Sequence, residues 1–427
     1  MRVAVVGAGK MGLPMACQFA ACGASVMACD VDPRVVESIQ AGKTWFEEPG
    51  VSELLATARR DGRIDATTNV SEGVRGCEVV VVLVPVLLTP EQDADLSIIL
   101  DVTRAISKAL APGMMVCYET TLPPGTTRNR LRPVLESGGL RAGEDFDLVF
   151  SPERVKSRLV LNHLTSTPKI VGGVNAKSAH RAAAFYGQYL GAPVINVETL
   201  EAAEFSKLAG MIYRDVNIAI ANELAAYAES IGVDFGRTRE AANTDGESFL
   251  LSPGIGVGGH CTPVYPHFVL RDAERRGLAL ELMRQGRAWN NHQAARLLDR
   301  LESAGTTLAG KRVAILGLGF RPQVKEHSFS SAFLIRDAAR ERGAEVLLND
   351  PLYSSDEIRR FDFQPLECNR DPRADVVVLN TAHPEYQQID FDEWRRKKVC
   401  AVIDGRNFWS PEKVRAAGLL YIAPGVP

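Results

Sequence analysis

The sequence predicts an α/β protein: two doubly wound domains joined by a helical domain that contains one long central helix. Three observations carry this. Strand-like runs alternate with helix-like ones through the first half, an Ala-rich helical stretch runs from about residue 202 to 231, and a strand–glycine–helix pattern restarts at KRVAILGLGFRP, residues 311–322. Strands alternating with helices of about 10–15 residues describe a parallel sheet covered on both faces.

The chain opens on the strand RVAVVG, followed by a helix from about Met11 to Gly23, the strand SVMACD, a helix near Pro33–Ala41 and the strand VVVVLVP. A helix around Ile98–Leu110, the strand MMVCYETT, a helix from about Gly125 and the strand FDLVFSP follow. Continuous valine runs, as opposed to alternating ones, belong to strands buried on both sides. Val79–Leu88 is the longest apolar run and reads as one such strand, interrupted by Pro85. It is far short of the roughly 20 residues a membrane helix needs. In EAAEFSKLAGMIYRDVNIAIANELAAYAESIG the apolar positions recur at helical spacing, and Gly232 is placed to end the helix. More helix is expected through about residue 303, and the segments AEVLLNDP, ADVVVLNT and VCAVIDGRN extend the second α/β pattern. The expected domains are residues 1–198, 199–305 and 306–427.

At 427 residues the chain is too long for one core. Hydrophobic content of 46% and charged content of 24% are those of a globular protein. A net charge of −3 gives no sign of the basic face that nucleic-acid binders usually carry, so no nucleic-acid partner is expected. The N-terminus starts directly on a strand without a basic, cleavable leader, and no membrane partner is expected. Eight cysteines are scattered without CxxC or other metal spacing, so no metal site is expected. Cys17, Cys22, Cys29, Cys77, Cys117 and Cys400 sit in apolar stretches and read as small core residues. Together these point to a reduced, cytoplasmic protein.

Gly7-Ala8-Gly9-Lys10-Met11-Gly12 matches G-x-G-x-x-G after a strand and at the start of a helix, the Rossmann-like context for a dinucleotide. The first glycine permits the tight turn, the second lets the backbone approach a pyrophosphate, and the third lets helix pack on strand. Helix N–H groups then face the phosphates. Asp30 ends the next strand, where its carboxylate would accept from the adenosine ribose and repel a 2′-phosphate, favouring NAD over NADP. Gly317-Leu318-Gly319-Phe320 lacks the third glycine, so it stands as a nucleotide site or a structural turn.

SPGIGVGGHCTPVYP, residues 252–266, has four glycines within six positions and then Cys261. Such a loop is either a tight turn with an inert thiol or a place where a substrate reaches the main chain beside a thiolate.

VGAGKMGLP, ETTLPPGTT, SPERV, PKIVGG, KLAGMIYRDVNIAIANEL, NTDGESFLLSPGIGVGGHCTPVYP, GLGFRP, NDP and DGRN together resemble, nearly end to end, the nucleotide-sugar 6-dehydrogenases. That family includes UDP-glucose, GDP-mannose and UDP-N-acetylhexosamine dehydrogenases, and the GGHC form followed by Pro263 and Val264 is closer to the N-acetylhexosamine branch. The resemblance implies NAD as cofactor, a UDP-sugar as substrate, and a homodimer or higher homo-oligomer. It implies a four-electron oxidation: the sugar C6 alcohol becomes an aldehyde, a cysteine adds to it, the thiohemiacetal is oxidised, and water cleaves the thioester. A thiol suits this as both strong nucleophile and good leaving group.

By the same resemblance Cys261 is the nucleophile and Lys207 stabilises the C6 oxyanion. Glu153 of SPERV serves proton transfer or orders the hydrolytic water, with Arg154 beside it at the substrate. Thr121 orders a water next to the reacting carbon and borders the cofactor, with Gly7, Gly9, Lys10, Met11, Gly12 and Asp30. Gly254, Gly256, Gly258 and Gly259 would offer amides to the substrate, Phe249 and Leu250 pack on its base, and Arg296 reaches its pyrophosphate from a neighbouring subunit.

Three positions depart from the family. Tyr265 stands for an aspartate, Met211 for an asparagine, and Ser328 lies near a usual arginine. A phenol with pKa near 10 is no carboxylate base at neutral pH. Two other readings therefore stand beside the enzyme: a nucleotide-sugar-binding homologue without turnover, and a two-electron hydroxyacid-type NAD dehydrogenase. The latter type lacks the GGHC loop and the C-terminal domain. NADH formed per sugar separates them as two, none or one.

Overall fold

The computed structural model describes residues 1–367 and 371–427. The chain forms two compact units, Met1–Gly210 with His267–Gly277, and Met211–Pro266 with Leu278–Pro427.

The first unit is built on an eight-stranded sheet: β1 (Arg2–Val6), β2 (Ser25–Cys29), β3 (Ile64–Thr67), β4 (Val79–Val82), β5 (Met115–Tyr118), β6 (Asp147–Phe150), β7 (Lys169–Gly173) and β8 (Val194–Thr199). Its order is β8-β7-β6-β5-β4-β1-β2-β3, and every pair is parallel except β6 with β7. Four consecutive valines make β4, all of them fully buried between β1 and β5. The strand expected to reach Leu88 stops at Val82; Leu87–Leu88 instead pairs with Ala94–Asp95 as a separate antiparallel hairpin. Pro85, which has no amide hydrogen for a central ladder, explains the exit. Helix α1 (Gly12–Ala21) covers one face, burying Leu13, Met15, Ala16, Cys17, Phe19 and Ala20. The helix expected from Gly125 begins as a wide π turn over Thr127–Leu131 before one α turn, Arg132–Leu135.

Helix α2 (Leu200–Ser230) is the long helix expected from the alanine-rich stretch, and Gly232 follows it at φ +72°. Helix α3 (Tyr265–Arg275) follows the glycine loop. In the second unit α4 (Glu281–Ser303) lies against the later turns of α2 through a buried polar network. Arg287 donates to Asp215 at 2.5 Å, Asn290 donates to Asp215 Oδ1 at 2.9 Å, and Asn222 donates to Asn290 at 2.9 Å. The six-stranded sheet comprises β9 (Arg312–Leu316), β10 (Glu345–Asn349), β11 (Gln364–Pro365), β12 (Val376–Leu379), β13 (Ala401–Asp404) and β14 (Leu420–Ile422). Its order, β11-β10-β9-β12-β13-β14, is parallel throughout. Both sheets thus contain the 3-2-1-4-5-6 order of dinucleotide-binding folds. Helix α5 (Ser331–Glu341) follows β9 and is capped by Ser330.

Cys17, Cys29, Cys77 and Cys117 are core residues as expected, whereas Cys22 and Cys400 are only partly buried. Cys22 ends α1 and accepts a contact from Gln18, and the Cys400 thiol turns to the Asp375 carbonyl at 3.1 Å. Among the described residues no helix is long and apolar enough to cross a membrane.

Candidate active site

The first glycine motif is open where a dinucleotide needs room. Gly7 has φ +94°, and a Cβ on Gly12 would lie 1.9 Å from the Gly7 carbonyl oxygen, so both must be glycine. A Cβ on Gly9 would meet nothing within 4 Å, and no side chain caps the N-terminus of α1. That combination leaves helix amides and open space for a pyrophosphate. Lys10 is exposed and Met11 half-buried at the mouth of the turn. Asp30 follows β2 and accepts the Asp32 amide on Oδ1 at 3.0 Å. Arg34, the nearby cation that could favour a 2′-phosphate, is held on Asp32 through bonds of 3.0 and 2.7 Å. These residues fit NAD.

The second glycine turn is closed by the protein itself. Asp350, following β10, accepts the Leu318 and Gly319 amides at 2.6 and 3.1 Å. Asn380 donates to the Gly317 carbonyl at 2.9 Å, and Thr381 donates to that of Gly319. A carboxylate sits where a phosphate would, so this is a structural turn.

Three catalytic candidates gather at the carboxyl ends of β5 and β6. Glu153 lies three residues past β6, and its amide donates to the Glu119 carbonyl at 3.2 Å. Its Oε1 accepts the Val155 amide while Oε2 lies 3.7 Å from Lys207 Nζ. Arg154, expected at the substrate beside Glu153, bonds the Pro168 carbonyl. Lys207 and Glu153 side chains are 7% and 16% exposed, so this ion pair is largely withdrawn from water. Thr121, two residues past Glu119, buries a hydroxyl that has no partner among the described residues. A buried orphan hydroxyl suits a bound water or substrate oxygen.

Glu119 itself was missed from sequence. It is fully buried, pairs with Lys169, and accepts the Tyr186 hydroxyl at 2.6 Å. Burial raises its carboxyl above the usual range, against the pull of Lys169 and Tyr186.

The glycine loop belongs to the second unit. Gly254 and Gly259 already use their amides internally, on Asn222 Oδ1 at 2.9 Å and the Ser328 carbonyl at 2.8 Å. Of the four loop glycines expected to offer amides, these two are thus engaged within the chain. Glycine is required here for close packing: a Cβ on Gly258 would lie 2.5 Å from Phe320 Cβ. Ile255 is fully buried in the core of the C-terminal sheet, and Arg406 donates to the Gly256 carbonyl at 3.2 Å. Cys261 follows half-buried, its carbonyl accepting the Tyr265 amide at 2.9 Å as α3 begins. Burial pushes the Cys17 and Cys29 thiols up to about 12, which makes them inert. Ser328 bonds His260 at 3.0 Å, and Met211 and Tyr265 are half-buried.

Asn217 donates to the Phe249 carbonyl at 2.7 Å and accepts the Leu251 amide at 3.1 Å, while Asn243 accepts the Leu250 amide at 2.8 Å. This leaves the Phe249 ring 66% exposed on a fixed backbone, with Leu250 half-buried. Asn217, Asn222 and Arg406 were not foreseen; two asparagines inside an alanine-rich helix were the available signal, since asparagine is a poor helix former. Arg296 binds Glu229 at 2.7 Å between α4 and α2, so within one chain its guanidinium is engaged.

The family models that match are those of the UDP-glucose/GDP-mannose dehydrogenase family: its NAD binding domain over residues 1–190, its central domain over 201–292 and its UDP binding domain over 314–411. A UDP-N-acetyl-D-mannosamine dehydrogenase of Pyrococcus horikoshii is 33% identical over 95% of this chain and 96% of its own. The UDP-glucose 6-dehydrogenase TuaD of Bacillus subtilis is 26% identical over 100% of this chain and 93% of its own. Among solved structures, the UDP-D-ManNAc dehydrogenase of P. horikoshii superposes with a TM-score of 0.89 at 30% identity, covering 100% of this chain and 99% of that one. The open glycine turn, the withdrawn Lys207–Glu153 pair and these three matches agree, and the chain belongs to the UDP-glucose/GDP-mannose dehydrogenase family.

Proposed function

We propose that the protein is an NAD-dependent dehydrogenase that oxidises C6 of a UDP-N-acetylhexosamine to the carboxylate in two steps. The observation that carries this is the Lys207–Glu153 pair, 3.7 Å apart and largely withdrawn from water, with the orphan Thr121 hydroxyl two residues from the carbonyl that holds Glu153. NAD, held by Gly7, Gly9, Gly12, the N-terminus of α1 and Asp30, supplies the hydride acceptor. Lys207 stabilises negative charge on the C6 oxygen. Cys261 adds to the aldehyde through sulfur and later leaves from the thioester. Glu153 and Thr121 orient the water that releases the acid, Glu153 taking its proton. Phe249 offers a flat apolar face to the base. The N-acetylated substrate is supported by relatives named as UDP-N-acetyl-D-mannosamine and UDP-N-acetyl-D-glucosamine dehydrogenases. Sequence boundaries at 198 and 305 then separate the cofactor, helical and nucleotide-sugar parts.

A homo-oligomer through α2 is part of the proposal. Tyr213, Ile220, Leu224 and Tyr227 are 60%, 40%, 40% and 64% exposed at spacings of one helical face, an apolar stripe suited to a second copy. Free thiols at the described cysteines are in keeping with the cytoplasm.

The test is a panel of UDP-N-acetylmannosamine, UDP-N-acetylglucosamine, UDP-glucose, UDP-galactose and GDP-mannose, followed by NADH absorbance and acid analysis. Two NADH per UDP-N-acetylhexosamine are expected. One supports the hydroxyacid-type reading, and none from any sugar defeats the enzyme. Cys261→Ser is expected to abolish acid formation with NAD affinity unchanged; normal acid output removes the covalent route.

A further inference from the structure

We propose that Glu204 is a positioning residue for this reaction, a buried carboxylate that fixes the Thr121 loop to the helix carrying Lys207; the proposal rests on the function proposed above. Glu204 is fully buried on the second turn of α2. Its Oε2 accepts the Gly125 amide at 2.5 Å and its Oε1 accepts the Thr127 amide at 2.8 Å. One carboxylate thus serves two amides nearly 80 residues away, with |i−j| of 79 and 77.

Both ends of this clamp lead to the site. Between Thr121 and Gly125 stand Leu122, Pro123 and Pro124, and two prolines fix φ in succession. A shift at Gly125 is therefore carried to the Thr121 hydroxyl and not absorbed between them. Lys207 lies three residues beyond Glu204 on the same face of α2, with its Nζ 3.7 Å from Glu153. Removing the clamp changes the distance between the hydroxyl and the ammonium while leaving the glycine turn of the cofactor site untouched.

The clamp is also sensitive to pH. The charged groups on the elements around it are Glu201 and Lys207, three residues before and after it on α2, and Arg128 on the turn that follows the loop. Arg128 is already bound to Glu201 at 2.5 and 3.2 Å, so this cation is shared with another carboxylate. Burial pushes the Glu204 carboxyl up to about 7, and its contacts with Thr127, side chain and amide, and with the Gly125 amide only partly oppose it. Ionised, it accepts from both amides; protonated, it turns one oxygen into a donor and loses its hold on one of them. Protonation of Glu204 as pH falls therefore weakens the clamp.

The test compares full-length wild type, Glu204→Gln and Glu204→Asp with NAD and the UDP-N-acetylhexosamine found active. Wild-type kcat is expected to fall as pH drops below about 7. Glu204→Gln, which presents an NH2 to one amide, is expected to lose about tenfold in kcat and to lose the part of the fall that wild type shows just below about pH 7, with NAD affinity within about twofold of wild type. Glu204→Asp keeps a titrating carboxylate and is expected to keep a limb. Hydrogen exchange over residues 120–131 is expected to quicken in Glu204→Gln. A Glu204→Gln protein with wild-type kcat and the wild-type acidic limb overturns the proposal, whatever its melting temperature or exchange. A wild type that oxidises no nucleotide sugar is seen before any variant is made, and it defeats the underlying reading instead.

Discussion

Replacing Lys169 with methionine would leave the Glu119 carboxylate in the sheet of the first unit with no counter-ion. The wild-type partners are 0% and 7% exposed, so neither can turn to water. Breaking a buried pair from one side costs about 3–5 kcal/mol, because the remaining charge stays desolvated. Glu119 keeps the 2.6 Å bond from the Tyr186 hydroxyl, which places the expected loss nearer 3 kcal/mol than 5. The variant can limit this loss by keeping Glu119 protonated, since burial already raises that carboxyl. The folded variant then binds a proton that the unfolded chain releases, so stability falls as pH rises. The slope is at most about 1.4 kcal/mol per pH unit. Urea denaturation at about pH 6 and about pH 8 measures this, following the transition that added NAD delays. Glu119→Gln with Lys169→Met removes both charges and is expected to recover to within about 1 kcal/mol of wild type. A single variant losing under about 1 kcal/mol, or losing equally at both pH values, refutes the reasoning.

Gly258→Ala would place a Cβ 2.5 Å from Phe320 Cβ, and the loop before Cys261 must shift. A stability loss of about 1–3 kcal/mol is expected with kcat down at least about tenfold, read by denaturation and NADH formation. Asp30→Ala removes the ribose acceptor and is expected to weaken NAD about tenfold, as measured by NADH fluorescence titration; unchanged affinity would remove Asp30 from the site. Leu224→Asp with Tyr227→Asp puts two charges into the apolar stripe of α2 and is expected to shift the protein to a smaller species in sedimentation. An unchanged sedimentation coefficient would place the interface elsewhere.

By itself the sequence determined what local pattern can encode. Period and composition specify two wound sheets and a long helix, and a glycine turn with Asp30 at the next strand end specifies a dinucleotide seat. It also drew attention to Cys261, because four glycines so close together need a reason. Only tertiary structure decided which similar-looking pieces are open. Gly7–Gly9 and Gly317–Gly319 read alike, yet Asp350, over thirty residues away, fills the second turn with its own carboxylate. Packing likewise chose Lys207 as a partner of Glu153, Glu229 for Arg296, and Glu204 for the amides of Gly125 and Thr127. Each of those groups had several chemically acceptable partners along the chain. Burial makes an unmatched charge or amide costly, so the fold keeps the one arrangement that satisfies them together.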